Sequence, residues 1–259
     1  MGARARAWLA VRHSLYVEVA AVLGLYGTYE LARGLAVGNE AEADRHARRV
    51  AAIERSVHVF FESDVQKAVH AVPGVTGVLG AAYLTLHLTV TVSVLLWLHR
   101  RRPAAFPLVR TALLFASALA LVGFVLFPTA PPRLAGVGIA DTIASERINI
   151  NGGLVSALYN PYAAVPSMHI AYALIVAGSV FAVSRRRLVK LAAALYPLTV
   201  LLVIIATGNH FFLDAAAGAL VAVLAAAAAF RLLHRAEPGV LVPVATSPEA
   251  LLSAERRAA

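Results

Sequence analysis

Cysteine is absent from all 259 residues. That excludes disulfide staples, thiolate nucleophiles and cysteine-bound metal centres, and it leaves the redox compartment open. Charge is also scarce: 14% of the residues are Asp, Glu, Lys or Arg, against about 25% in an ordinary soluble domain. No internal repeat occurs and no long polar linker divides the chain, so one domain over 1–259 is expected, with a core of about 14–232. The 236–259 end, with Pro238, Pro243 and Pro248, reads as a flexible cytoplasmic tail. Two targeting signals are also missing. Arg6 stands where N-myristoylation needs Ser or Thr. The first apolar run carries Glu18 and Glu30 and has no small-residue cleavage site after it, so it reads as a retained helix, not a signal peptide.

What is abundant is apolar. Hydrophobic residues make up 60% of the chain and the mean hydropathy is +0.74. Six apolar segments of spanning or near-spanning length follow one another, at about 14–36, 74–98, 106–127, 166–184, 188–207 and 210–231. The expected fold is therefore an all-α polytopic membrane protein with six transmembrane helices.

The formal charge of +9 would suggest nucleic acid in a soluble protein. Here the arginines cluster at the ends of apolar runs, where they act as topology signals or headgroup contacts, and nucleic acid is not expected as a partner. With a cytoplasmic N-terminus, 15 of the 23 basic residues fall on inner segments, in the clusters Arg4–Arg12, Arg100–Arg110, Arg185–Lys190 and Arg231–Arg257. The other eight lie in longer outer segments diluted by acids such as Glu40, Glu54, Glu62 and Asp141. Both termini are thus expected in the cytoplasm, in an integral protein of the plasma membrane.

Two outer stretches are more than simple loops. Residues 41–70 place Val50, Ile53, Val57, Phe60 and Phe61 at helical spacing. This predicts an extracytoplasmic amphipathic helix or helix pair on the membrane surface, serving either as packing or as a substrate gate. Residues 128–165, rich in Pro, Gly and Asn, form a long irregular segment of the kind that often carries function.

Two histidines stand at the outer starts of apolar segments. His169 follows Val165-Pro166-Ser167-Met168, where Pro166 suits a first helical turn. His210 lies in Thr207-Gly208-Asn209-His210-Phe211-Phe212-Leu213-Asp214. The i, i+4 spacing of His210 and Asp214 puts both on one helical face, where the carboxylate can hold one ring nitrogen and leave the other free to attack. Segments four and six run in the same direction, so the two histidines can meet. Helix N-termini there suit an anionic phosphate.

Pro166-Ser167-x-His169 followed by His210-x-x-x-Asp214 resembles the second and third signature motifs of the type 2 phosphatidic acid phosphatase superfamily. Phe127-Pro128-Thr129-Ala130-Pro131-Pro132-Arg133 and Asn160-Pro161-Tyr162 are similar to the branch holding the inositol phosphorylceramide synthases and their bacterial relatives. The resemblance covers about residues 75–232 and extends to the first span. It implies a catalytic set of His210 as nucleophile forming a phosphohistidine, Asp214 orienting it and His169 protonating the leaving alcohol. Ser167 would hydrogen-bond the phosphoryl oxygens. Water or an alcohol acceptor then takes the phosphoryl group from a lipid phosphate, with no metal and no cofactor.

The chain departs from the family pattern at three points. Ile204 stands where the third motif has an arginine, Met168 replaces the glycine before the second-motif histidine, and the first motif has no good match. Arg102-Pro103 imitates that first motif but is assigned to the cytoplasmic side, about 30 Å away. Arg133, ending the third span on the active side, is taken as the phosphate clamp, with Arg147 a weaker candidate.

Structural readings stand beside these. His210 and Asp214 could be a satisfied buried pair, Ser167 a helix cap and Arg133 a headgroup anchor. His87, four residues after Tyr83, reads as a buried hydrogen-bonded histidine, with cavity lining as its alternative. His13, His46, His58, His70, His99 and His234 read as interfacial or solvated. The different-class alternative is a lipid transporter or structural membrane protein. The near absence of charge from spans two to five favours the enzyme.

Overall fold

The computed structural model describes residues 40–142 and 162–235. The first expected span, Arg147, Asn160-Pro161 and the 236–259 tail lie outside the described residues.

The described residues are all-helical, with no strand and one isolated bridge, between Thr129 and Ala163. Seven helices follow in order: α1 Glu40–Ser56, α2 Glu62–His70, α3 Val75–Arg101, α4 Phe106–Leu126, α5 Met168–Val183, α6 Arg187–Ala206 and α7 Phe212–Arg235. Local chemistry sets several ends. Glu40 and Glu42 occupy the first turn of α1 and Arg55 its last, each favoured by the helix dipole. Arg102 leaves the helical region at φ −142° and ψ 56°, as a residue before proline tends to, and α3 stops there.

The helices α3, α4, α6 and α7 are long and apolar enough to cross a bilayer. The fourth apolar segment is shorter than expected. Ser167 and Ser184 both take extended conformations, leaving α5 with 16 residues, about 24 Å at 1.5 Å per residue. Four candidate spans and one shorter apolar helix are therefore what the described residues hold of the six expected.

In the bundle α7 packs against α4 and α5, α5 against α6, and α3 against α5 and α6. The α4–α5–α7 seam is built from buried Ala112, Ala116, Ala171, Ala222, Ala225 and Ala229. Small side chains let helices approach closely where lipid supplies no hydrophobic drive between them. The outward faces keep Val78, Leu88, Leu188, Leu198, Leu220 and Val223 exposed, as expected of a bundle whose solvent is hydrocarbon.

A cap covers one end of the bundle. The amphipathic segment is a helix pair, and the face it packs on the rest of the protein is not the Val50–Ile53–Val57–Phe61 stripe. Ala43, Ala47, Val50, Ala51 and Glu54 are buried, whereas Ile53, Val57 and Phe61 are each more than half exposed. The reason is the surface that α1 meets. It lies on the 127–137 loop and on Phe211, where small side chains and hydrogen-bonding groups fit and bulky ones do not. Ala130 N–H donates to the Ala43 carbonyl, and the Arg55 guanidinium to the Val137 carbonyl. His46, expected at the interface, is instead buried. It stacks on Phe127 at 4.0 Å, and its Nδ1 lies 2.8 Å from the Pro128 carbonyl.

Candidate active site

The site forms where α5 and α7 begin. Ser167 N–H donates to the Asp214 carbonyl at 3.0 Å, tying the start of α5 to the first turn of α7. A Cβ on Gly218 would collide with the Ser167 carbonyl, so the two helices cross this closely only over glycine. Gly123 serves the same end on α4, where a Cβ would meet the Pro166 ring at 2.6 Å.

Helix α7 starts at Phe212, so His210 precedes the helix instead of riding on its face. Its approach is set by a turn in which Gly208 takes φ +67°, a left-handed value that glycine adopts without strain. The Ile204 carbonyl accepts from the N–H groups of Asn209 and His210 at 3.0 and 3.2 Å. His210 Nδ1 then lies 3.3 Å from Asp214 Oδ2, which also accepts the Phe211 N–H at 2.9 Å. The latter bond reaches back from the first turn to the residue before it, as the acidic partner of a capping box does. Asp214 is fully buried, and its Oδ1 has no hydrogen-bond partner among the described residues.

The rings of His169 and His210 stand 5.5 Å apart between centroids, inclined at 63°. His169 also stacks on Tyr83 at 4.7 Å and meets His87 at 4.1 Å, both from α3. A narrow pocket beside it is lined by Tyr83, His87, Val200, Val203 and Ile204. His87 therefore stands on the wall of the site, its Nδ1 without a partner among the described residues. Ile204, where the resemblance expects an arginine, contributes an apolar wall and its backbone carbonyl.

Ser167 takes the N-cap position of α5 without capping it. Its Oγ is buried with no partner among the described residues. Arg133 is buried beside the Thr207–His210 turn. Its N–H donates to the Gly208 carbonyl at 2.9 Å, its Nε to Asn209 Oδ1 at 3.0 Å and its Nη1 to Asp141 Oδ2 at 2.9 Å. The guanidinium is thereby fixed next to the nucleophile candidate, and it is already ion-paired. Arg102 is exposed at the far end of α3, 19 residues beyond Tyr83 and so about 28 Å along the helix. The geometry separates it from both histidines.

Sequence reasoning missed the residues that hold this constellation. Asn209 and Asp141 carried no signal, since their role depends on where Arg133 lands. Glu54 lies at helical spacing from Ala43, Ala47 and Val50, but its burial follows only once that stripe of α1 is known to face inward. No cluster of three or more metal-ligating side chains occurs among the described residues. An apolar groove of about 270 Å³ lies between α5, α6 and α7, bounded by Ile170, Leu174, Pro197, Leu201, Phe212 and Ala219.

No curated protein and no solved structure matches the chain. A family model described as the PAP2 superfamily matches residues 48–228.

Proposed function

The chain belongs to the PAP2 superfamily, and from that membership we propose that it is a membrane enzyme that cleaves a lipid phosphate ester through a phosphohistidine on His210. The observation that carries the reading is the opposition of the His169 and His210 rings at 5.5 Å with Asp214 behind His210 Nδ1.

Asp214 accepts the Nδ1 proton and so leaves the Nε2 lone pair of His210 outermost. That pair forms the P–N bond as the ester P–O bond breaks. The departing alkoxide takes a proton from His169, which acts as general acid. In the second half His169 removes a proton from water or from an acceptor alcohol. The new oxygen bonds to phosphorus, and the P–N bond returns its electrons to His210. Ser167 Oγ and the positive charge of the Arg133 guanidinium stabilise the charge on the non-bridging oxygens. No metal and no cofactor enters this scheme. The exposed apolar helices and the groove beside Ile170 and Phe212 support a substrate with hydrocarbon chains.

Release to water makes the protein a lipid phosphate phosphatase. Transfer to an alcohol makes it a phosphotransferase like the inositol phosphorylceramide synthases. The two share the first half-reaction, and the acceptor pocket decides between them. The site is assigned to the extracytoplasmic face of the plasma membrane with both termini inside. The exposed Arg100–Arg102 and Arg185–Arg187 clusters at the opposite end of the bundle support that orientation.

The test is a lipid-phosphate panel on purified protein in mixed micelles, with phosphorus followed into free phosphate and into a second alcohol. Turnover that disappears in His210→Ala and His169→Ala is the expected result. Lipid movement across a vesicle bilayer without any loss of phosphate would establish a transporter instead.

A further inference from the structure

The N–H groups around the start of α7 have no helical carbonyl to bond, and three carboxylates take them instead. Phe211 N–H donates to Asp214 Oδ2 at 2.9 Å, Phe212 N–H to Glu62 Oε1 at 3.0 Å and Leu213 N–H to Glu54 Oε1 at 2.7 Å. Asp214 belongs to α7, but Glu62 opens α2 and Glu54 closes α1, 150 and 159 positions away. All three side chains are fully buried. Glu54 Oε2 and Glu62 Oε2 have no hydrogen-bond partner among the described residues, while the Oε1 atoms of both accept from adjacent N–H groups of one turn. Two buried carboxyl groups held this way beside Asp214 cannot both stay ionised without a cation, so one of them keeps a proton.

We propose that Glu54 and Glu62 share one proton and act as positioning residues, clamping the first turn of α7 so that His210 stays against Asp214. The inference rests on the reaction assigned above to His210. It also gives the α1–α2 pair a role: the cap reaches down and holds the segment that carries the nucleophile.

Charge around the pair demands that proton. The charged groups facing Glu54 are Glu62 from α2 and Asp214 from α7, both acids. Arg55 on its own helix turns away, to the Val137 carbonyl and the Phe60 ring. Burial first, and then the neighbouring Glu62 carboxyl, push the Glu54 carboxyl up to about 9, against a partial pull downward from the Leu213 N–H. The sign follows. An unfolded Glu54 releases its proton near 4.5 while the folded one keeps it to about 9. Its contribution to native stability therefore falls progressively as pH rises across that window. Above it, two buried anions beside Asp214 repel, the clamp opens and His210 loses its register. Neither glutamate touches substrate, so the loss falls on kcat and leaves KM in place.

The test is the pH profile of kcat and KM for lipid-phosphate turnover, run with infrared difference spectra of the substrate-free protein. Wild type should show an alkaline limb near pH 9. Glu54→Gln keeps an oxygen for Leu213 N–H and gives Glu62 a permanent donor, so it should hold neutral-pH kcat and lose the limb. Glu54→Ala should lower kcat by roughly tenfold or more at unchanged KM. The infrared spectrum of wild type should contain a protonated-carboxyl band that titrates away with the limb and is missing from Glu54→Gln. Thermal melting identifies an unfolded alanine variant, in which case the glutamine variant and the band decide. A folded Glu54→Gln as inactive as Glu54→Ala, or no protonated-carboxyl difference between wild type and Glu54→Gln, overturns the proposal. If wild type turns over no lipid phosphate, the reaction reading fails, and the band alone decides the shared proton.

Discussion

Asp214 Oδ2 serves two donors, His210 Nδ1 at 3.3 Å and Phe211 N–H at 2.9 Å. In Asp214→Asn the oxygen can keep the backbone bond, but an NH2 group then competes for the imidazole and favours the wrong tautomer. Turnover should fall by about 10²–10⁴-fold with the helical circular dichroism unchanged. Near-normal turnover in a well-folded variant would remove Asp214 as the orienting group. Arg133 is a second case in which shape matters beyond charge. Its Nε and Nη1 donate at once to Asn209 and Asp141, and a lysine ammonium cannot span both. Arg133→Lys should lower kcat/KM by roughly tenfold and Arg133→Ala by roughly a hundredfold. Arg102→Ala, altered at the far end of α3, should stay close to wild type in correctly inserted protein. The reverse ranking would show that the phosphate clamp has been misassigned.

Helix α7 depends on close contact along one stripe. In Gly218→Ala the new methyl meets the Ser167 carbonyl and crowds Ile170. Backbone cannot yield as a flexible side chain can, so α5 and α7 must part. The expected cost is about 1–3 kcal/mol of stability, together with loss of activity as His169 withdraws from His210. A melting temperature and turnover both equal to wild type would show that the crossing is looser than this geometry. Helix α1 shows where periodicity stops being informative. Val50, Ile53 and Val57 have helical spacing, and a helix is there, ending at Ser56 just before Val57. Which stripe faces inward was settled by the loop beneath it, where Ala43 and Ala47 fit and Ile53 does not. His46 was misjudged for the same reason: in sequence nothing marks the Phe127 ring that it stacks on.

The bundle as a whole places α1, α2, the 127–142 loop and the starts of α5 and α7 at one end, and Arg100–Arg102 and Arg185–Arg187 at the other. The proposed orientation follows the positive-inside rule and turns the histidine end to the extracytoplasmic side. This is open to direct measurement, because the chain has no cysteine of its own. A cysteine at exposed Ser56 should react with an impermeant thiol reagent added outside intact cells, and one at exposed Arg186 only after the membrane is opened. Labelling in the opposite order would invert the orientation and with it the side on which substrate is met.

Composition and pattern alone determined the solvent, the helical class, the bounds of the five described apolar helices to within a few residues, and the pairing of His210 with Asp214. These are local properties. Apolar runs, glycine and proline positions, and i, i+4 spacing act over a few residues, and neighbours in sequence remain neighbours in the fold. Contacts between distant residues were decided only in three dimensions. The His87–His169 approach, the Arg133–Asn209 bond and the carboxyl clamp on Phe212 and Leu213 join groups tens to more than a hundred positions apart. The physical reason is burial. A carboxylate or guanidinium reads as a solvated charge until packing removes its water, and only then must it find the partner that satisfies it.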